Sequence, residues 1–183
     1  MHTKRESSEV LYAEDRIVTV DAAAIADLRL GATGNERRRI RLCAHRSVDD
    51  PLHEMLIVHV KDTYVRPHKH LGKSESFHVI EGEADVVMFD DEGAVTDVIQ
   101  VGPVSSGRPF FYRIADPLFH TLLIRSDVLV FHETTAGPFR RSETVFAPWS
   151  PDDRKPDEIA RFLSSLDEQL VSRSAARVGS AGE

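Results

Sequence analysis

Two runs hold the residues of this chain best suited to chemistry. PHKHLGKSESFHVIEG carries His68, His70 and Glu75, and DPLFHTLLIRS carries His120. Side chains on a strand alternate between faces, so His68 and His70 project to one side and can share an ion. The stretch from Leu71 to Ser74, with Gly72 and Ser74, suits a tight reversal that returns Glu75 toward those imidazoles. His120, far along the chain, is the candidate fourth ligand, delivered by a different strand of a closed sheet, with His132 as its competitor. An HxH pair alone is more often a polar strand face, but Glu75 and Gly82 at their present spacings point to metal. Three neutral imidazoles and one carboxylate suit a single borderline divalent ion: iron, manganese, nickel, cobalt or zinc. The remaining histidines read as surface or packing residues, with His45 and His59 as candidate pocket groups.

Such ligands need a scaffold, and length and composition bound it. At 183 residues the chain is long enough for one domain with a substantial core and too short for two full ones. A formal net charge of -7 argues against nucleic-acid binding through bulk attraction, so any anion must meet a local basic cluster. The single cysteine, Cys43, excludes an intrachain disulfide and fits a reducing compartment. The polar start MHTKRESSEV has no apolar core and no run is long enough to cross a bilayer, so cytoplasmic location is the expectation.

The positioning elements follow from periodicity. Residues 9 to 20 read as short strands or an extended arm. DAAAIADLRLGATG reads as a short helix with Asp21 as N-cap and Gly31 as its stop. From Met55 to Val145 the chain is repeatedly strand-like: MLIVHV, SFHVI, ADVVMF, AVTDVIQV, FFYRI, HTLLIR and DVLVFHE, with DDEG and SSGRP as turns between them. Many short strands and no helical pattern indicate a sandwich or barrel. Several runs are apolar on both faces, so the outer face also needs a cover, from the N-terminal arm or a second subunit. Past the proline-rich and acidic APWSPDDRKPDEI, Ile159, Phe162, Leu163, Leu166 and Leu170 form a helical stripe, and the tail SRSAARVGSAGE is expected to be disordered. The expected organisation is an N-terminal arm with a short helix over 1–36, a barrel over 37–150, and a C-terminal helix and tail over 151–183.

The order HxH, four residues, Glu, six residues, Gly, then a distant His resembles the two metal motifs of the cupin superfamily. More narrowly, RRRIRLCAH, DTYVRPHKH, ESFHVIEG, VVMFDDEG and GPFRRSETVFAPWSPDD resemble the WbuC-type cupin metalloproteins over roughly residues 16 to 153. The resemblance implies an all-β fold, a single double-stranded β-helix or jelly-roll barrel, with His68, His70, Glu75 and His120 as ligands. One departure is RIADPLFH, where Ala115 and Pro117 replace the usual proline and glycine ahead of the histidine. Pro117 cannot take positive φ, so this turn must be built differently. WbuC-type relatives accompany surface-polysaccharide and O-antigen sugar pathways.

Three functions fit these residues. The first is a metal-dependent enzyme of isomerase or epimerase type on a sugar phosphate, nucleotide sugar or similar small anion. Glu133 or Tyr64 would be its base, and Arg39, Arg41, Arg66, Arg113 and His45 would bind substrate. The second is an iron-dependent dioxygenase of a small organic substrate. The third is a non-catalytic binding or sensor module with a structural metal. Cys43 lies in an apolar strand setting and no G-x-S-x-G elbow is present, which disfavours a covalent hydrolase. Homodimerisation is expected, and neither nucleic acid nor membrane is an expected partner.

Overall fold

The computed structural model describes residues 1–180, with side chains as far as Arg173. The chain divides into two compact units between Ala147 and Pro148. In the first, β1 (Thr3–Arg5) and β2 (Val10–Ala13) precede α1 (Ala22–Thr33). Then come β3 (Arg39–Cys43), β4 (Leu52–Val60), β5 (His68–His70), β6 (Glu75–Glu81), β7 (Ala84–Phe89) and β8 (Val95–Val101). β9 (Phe111–Ile114), β10 (Phe119–Ile124), β11 (Val128–Ala136) and β12 (Thr144–Phe146) complete it. Each of the seven strand-like runs in the sequence overlaps one of these strands.

The strands form two sheets, ordered β1-β2-β3-β4-β11-β6-β9 and β12-β5-β10-β7-β8. Every pairing is antiparallel except β2 with β3. Apolar side chains from both sheets meet in one core. Met55, Ile57, Phe77, Leu129 and Phe131 come from the larger sheet, and Val86, Met88, Leu122 and Ile124 from the smaller. The first unit is a two-sheet β barrel of jelly-roll type, all-β apart from α1 and short 3-10 turns.

The outer face of the larger sheet is covered by the chain itself. Leu28 and Ala32 of α1 pack on Ile40, Leu42, Leu56 and Val58, which accounts for strands apolar on both faces. Asp21 caps α1, its carboxylate accepting from the Ala24 N–H at 2.9 Å. Gly31 is not the stop that the sequence suggested: the helix runs on to Thr33, and Gly34 ends it by donating to Leu30 and Ala32 carbonyls. At Gly31 a Cβ would sit 2.8 Å from Ile40 Cδ1, so its role is close packing of helix on sheet.

The second unit carries α2 (Pro156–Ser180), with Asp157 and Glu158 in its first turn. Leu166 and Leu170 of the predicted stripe are buried. The helix continues past residue 172 to Ser180, where a disordered tail was expected; residues 181–183 of that tail lie outside the described residues. No helix of the described residues is long and apolar enough to cross a membrane.

Candidate metal centre

Register brings the histidines together. β5 and β10 are antiparallel neighbours with His68 and His120 as direct partners, so both side chains leave the same face, which His70 shares by the two-residue period. The smaller sheet thus supplies three imidazoles whose ligating atoms lie within 4.8 Å of one another. Glu75 comes from the opposite sheet. The reversal after β5 passes through Gly72 at φ 70°, and β6 then aims the Glu75 carboxylate back, 2.9 Å from His120 Nε2 and 3.3 Å from His70 Nε2. Gly82 closes this strand at φ 81°, where a Cβ would meet the Val128 carbonyl at 2.0 Å, so only glycine fits there.

The turn ahead of His120 is built without glycine. Leu118 N–H donates to the Asp116 carbonyl at 2.8 Å, a three-residue turn centred on Pro117 that suits proline's fixed φ. The Leu118 carbonyl in turn accepts from His120 Nδ1 at 2.9 Å. His68 Nδ1 donates to the Arg66 carbonyl at 2.8 Å, and His70 Nδ1 lies 3.3 Å from Thr144 Oγ1. A carbonyl only accepts, so Nδ1 of His68 and His120 carries a proton; Nε2 of neutral His68 is left with its lone pair, while Nε2 of His120, 2.9 Å from Glu75 Oε1, donates to that carboxylate and would give up its proton to a bound ion. Outward-tied Nδ1 atoms and convergent Nε2 atoms are the arrangement in which imidazoles hold a metal, and with Glu75 the donor set fits one divalent ion.

The electrostatics differ between the two rings. Burial, then the neighbouring charge of His120, pulls the His68 pKa down to about 3, which keeps that ring neutral. At Glu75 burial acts upward, but the charge and hydrogen bond of His120 and the hydrogen bond of His70 hold the carboxyl below its usual range. At His120 burial acts downward, and Glu75 outweighs it and raises the pKa. His132, the competing ligand, is Cα partner to exposed His78 on β6. It alternates with Phe131 and Glu133 and so lies on the outer face of its sheet, away from the cluster.

The other candidates are placed as follows. Glu133 follows inward-facing Phe131 by two residues and opposes Phe77 on β6. Burial, then the charge of Glu75, lifts its carboxyl to about 7, opposed by Arg41, His120 and Lys73. Tyr64 is half-buried in the loop entering β5. Arg39 donates from Nε to Glu9 Oε2 at 2.8 Å, an ion pair at the β2–β3 edge. Arg41 is exposed and borders a cavity of about 610 Å³ with Lys4, Tyr12 and Arg46. Arg66 has its guanidinium carbon 4.8 Å from the Phe146 ring centroid. Arg113, exposed, donates to Ser74 Oγ at 3.0 Å and braces the turn before Glu75. His45 stacks on His53 at 4.1 Å, with Nδ1 against the Glu54 backbone. His59 is buried edge-on to Phe131.

Residues the sequence did not single out also belong here. Tyr112 stacks on Phe77 at 4.9 Å, and its phenol is raised well above normal by burial, then by Glu75 and Glu133. Lys73, its side chain only 6% exposed, lies 3.7 Å from Glu143. Phe146 lies beside His68 through the β5–β12 pairing, and Arg141 lies against the Phe146 ring.

A family model described as a domain of unknown function (DUF6016) matches residues 20–101. No curated protein matches the chain. Among solved structures, protein SO0799 from Shewanella oneidensis is similar at 10% identity and a TM-score of 0.48, over 58% of this chain and 72% of that one. The capsular polysaccharide assembling protein CapF of Staphylococcus aureus is similar at 16% and 0.44, over 54% and 27%. A putative sugar phosphate isomerase from Acidithiobacillus ferrooxidans is similar at 15% and 0.39, over 48% and 51%. Likeness at this level transfers no activity.

Proposed function

We propose that this protein is a metal-dependent enzyme that moves a proton on a small anionic substrate, with one divalent ion held by His68, His70, His120 and Glu75. The observation that supports it most is the orientation of three imidazoles from one sheet, each tied at Nδ1 outside the cluster, against a carboxylate from the other. A divalent ion so held supplies Lewis-acid polarisation of a substrate carbonyl or hydroxyl.

The chain's own groups do the rest. His120 and Glu75 are buried, while His68 and His70 are only half-buried, so substrate approaches along β5. Glu133 is the proton carrier: its carboxyl is buried opposite Phe77, and burial raises its pKa above the ordinary carboxylate range, so it can accept and return a proton. Tyr112, kept protonated beside both carboxylates, is placed to donate a hydrogen bond. Phe77, Phe131 and Met55 shield that proton from water. The resemblance to WbuC-type cupins directs the choice of substrates to phosphorylated or nucleotide-linked sugars of surface polysaccharides.

Solvent deuterium wash-in is the test. Metal-loaded protein is incubated in D2O with a panel of aldose and ketose phosphates and nucleotide sugars. The expected result is exchange at the carbon next to a carbonyl, reduced about 100-fold or more in Glu133→Gln at unchanged metal content. Exchange that is indifferent to Glu133→Gln, or absent from the whole panel, contradicts the proposal.

A further inference from the structure

The cavity of about 610 Å³ at the β1 end of the larger sheet is built by elements that supply none of the metal ligands: β1, β2, β3 and the loop after β3. Part of its lining is apolar. Val10 and Tyr12 border it and pack on the barrel core, and the Tyr12 ring stands edge-on to His45 at 5.6 Å. Around it are Lys4, Arg41, Arg46, Glu6 and Glu14. Lys4 Nζ lies 3.8 Å from Glu6, so these two charges offset each other, and Arg41 and Arg46 outnumber the remaining Glu14. Neither of their guanidinium groups has a hydrogen-bond or ion-pair partner among the described residues. Arg108, Arg125 and Arg154, by contrast, each sit on a carboxylate. One unpaired arginine is ordinary on a surface. Two that border a single cavity with an apolar lining call for a ligand, the more so in a chain of net charge -7.

We propose that this cavity is a second ligand site, in which Arg41 and Arg46 bind the phosphate or carboxylate of a small molecule whose apolar body rests on Tyr12 and Val10. Its volume falls within the roughly 300–1,000 Å³ of small-molecule sites, and such sites pair an apolar lining with a few fixed polar groups. Guanidinium forks match the oxygens of either oxyanion. Both arginines rise from ordered backbone. Arg41 is paired on one side with Val10 and on the other with Ile57. The Arg46 N–H donates to Asp50 Oδ2 at 2.7 Å, the Asp49 N–H to Ser47 Oγ at 3.2 Å, and the Val48 carbonyl accepts from Phe139 N–H at 2.7 Å, so the loop is fastened at both ends. Less ordering is then needed when a ligand binds. The N-terminal arm, which the sequence offered only as a cover for the barrel, thus supplies Tyr12 and Val10 to a site of its own. Binding here does not require the metal, so the site stands or falls apart from the enzymatic reading above.

Phenyl phosphate, phenylacetate and orthophosphate are titrated calorimetrically, in low salt, into the metal-loaded full chain and into the chelator-treated chain. Wild type is compared with Arg41→Gln, Arg46→Gln, Arg46→Lys, the Arg41→Gln/Arg46→Gln double variant and a control on α2, Arg161→Gln, with the thermal unfolding midpoint measured for each. The site predicts that one of the two phenyl anions binds with or without metal and, if it is phenyl phosphate, more tightly than orthophosphate, because the ring gains the apolar lining. Its Kd should rise about tenfold or more in the double variant, at an unchanged midpoint, and Arg46→Lys should recover only part of the loss caused by Arg46→Gln. Whichever phenyl anion binds more tightly identifies the oxyanion recognised. Equal affinities in wild type and the double variant overturn the proposal, as does failure of wild type to bind either phenyl anion up to about 10 mM. Binding that appears only in the metal-loaded chain and ignores both arginines would place the anion on the metal and overturn it too.

Discussion

His68 and His120 stand directly opposite one another on neighbouring antiparallel strands, although one lies near the start of the barrel and the other near its end. The metal centre therefore depends on a strand pairing of high sequence separation, and its outer hydrogen bonds hold the rings in the orientation that pairing provides. Thr144, on the next strand of the same sheet, contacts His70 Nδ1. Thr144→Val keeps the shape and removes the hydroxyl. Metal affinity is expected to fall about tenfold, read by competition with a chromophoric chelator, with unchanged circular dichroism. Unaltered affinity would show that this contact orients nothing.

Acid stability is set in part by a histidine away from the ligands. Burial, then Arg39, pushes the His59 pKa down to about 3, against 6.5 for a free imidazole, and its Nδ1 has no hydrogen-bond partner among the described residues. Because the unfolded chain binds this proton and the folded chain refuses it, stability is full above pH 6.5 and declines as pH falls toward 3. The slope is at most ~1.4 kcal/mol per pH unit from this group. Urea unfolding of wild type and His59→Leu from pH 8 to pH 4 should show the shallower acid decline in the variant. Parallel curves would remove His59 from the account.

A partly buried ion pair ties β7 to the end of β10. Asp85, its side chain 6% exposed, accepts from Arg125 Nε and from its terminal nitrogen, each at 2.7 Å. Arg125→Met strands that carboxylate and should cost about 3 kcal/mol, while Asp85→Leu combined with Arg125→Met should recover most of the loss. Chemical denaturation of the three variants measures this. An additive double variant would mean that the pair is not coupled.

The sequence displayed what repeats locally. The strand period put His68 and His70 on one face, the Gly72 reversal returned Glu75, and apolar alternation placed seven strands. What it concealed arises between strands. β12 is three residues long, too short for any period, yet its pairing with β5 sets Phe146 beside His68 and Thr144 beside His70. Tyr112 reaches the carboxylates only through β9 pairing with β6. Arg39 read as a free cation because nothing local shows that β2 delivers Glu9 to it. Gly31 read as a helix stop because glycine often is one, but tight packing of α1 against Ile40 claimed it.

The central claim is that His120, and not His132, completes a metal site with His68, His70 and Glu75. Elemental analysis of untagged protein reconstituted with divalent metal tests it, using wild type, His120→Ala and His132→Ala. One ion per chain is expected in wild type and His132→Ala, and loss of the ion in His120→Ala after dialysis. Retention of a full equivalent in His120→Ala, or no metal in wild type, would contradict it.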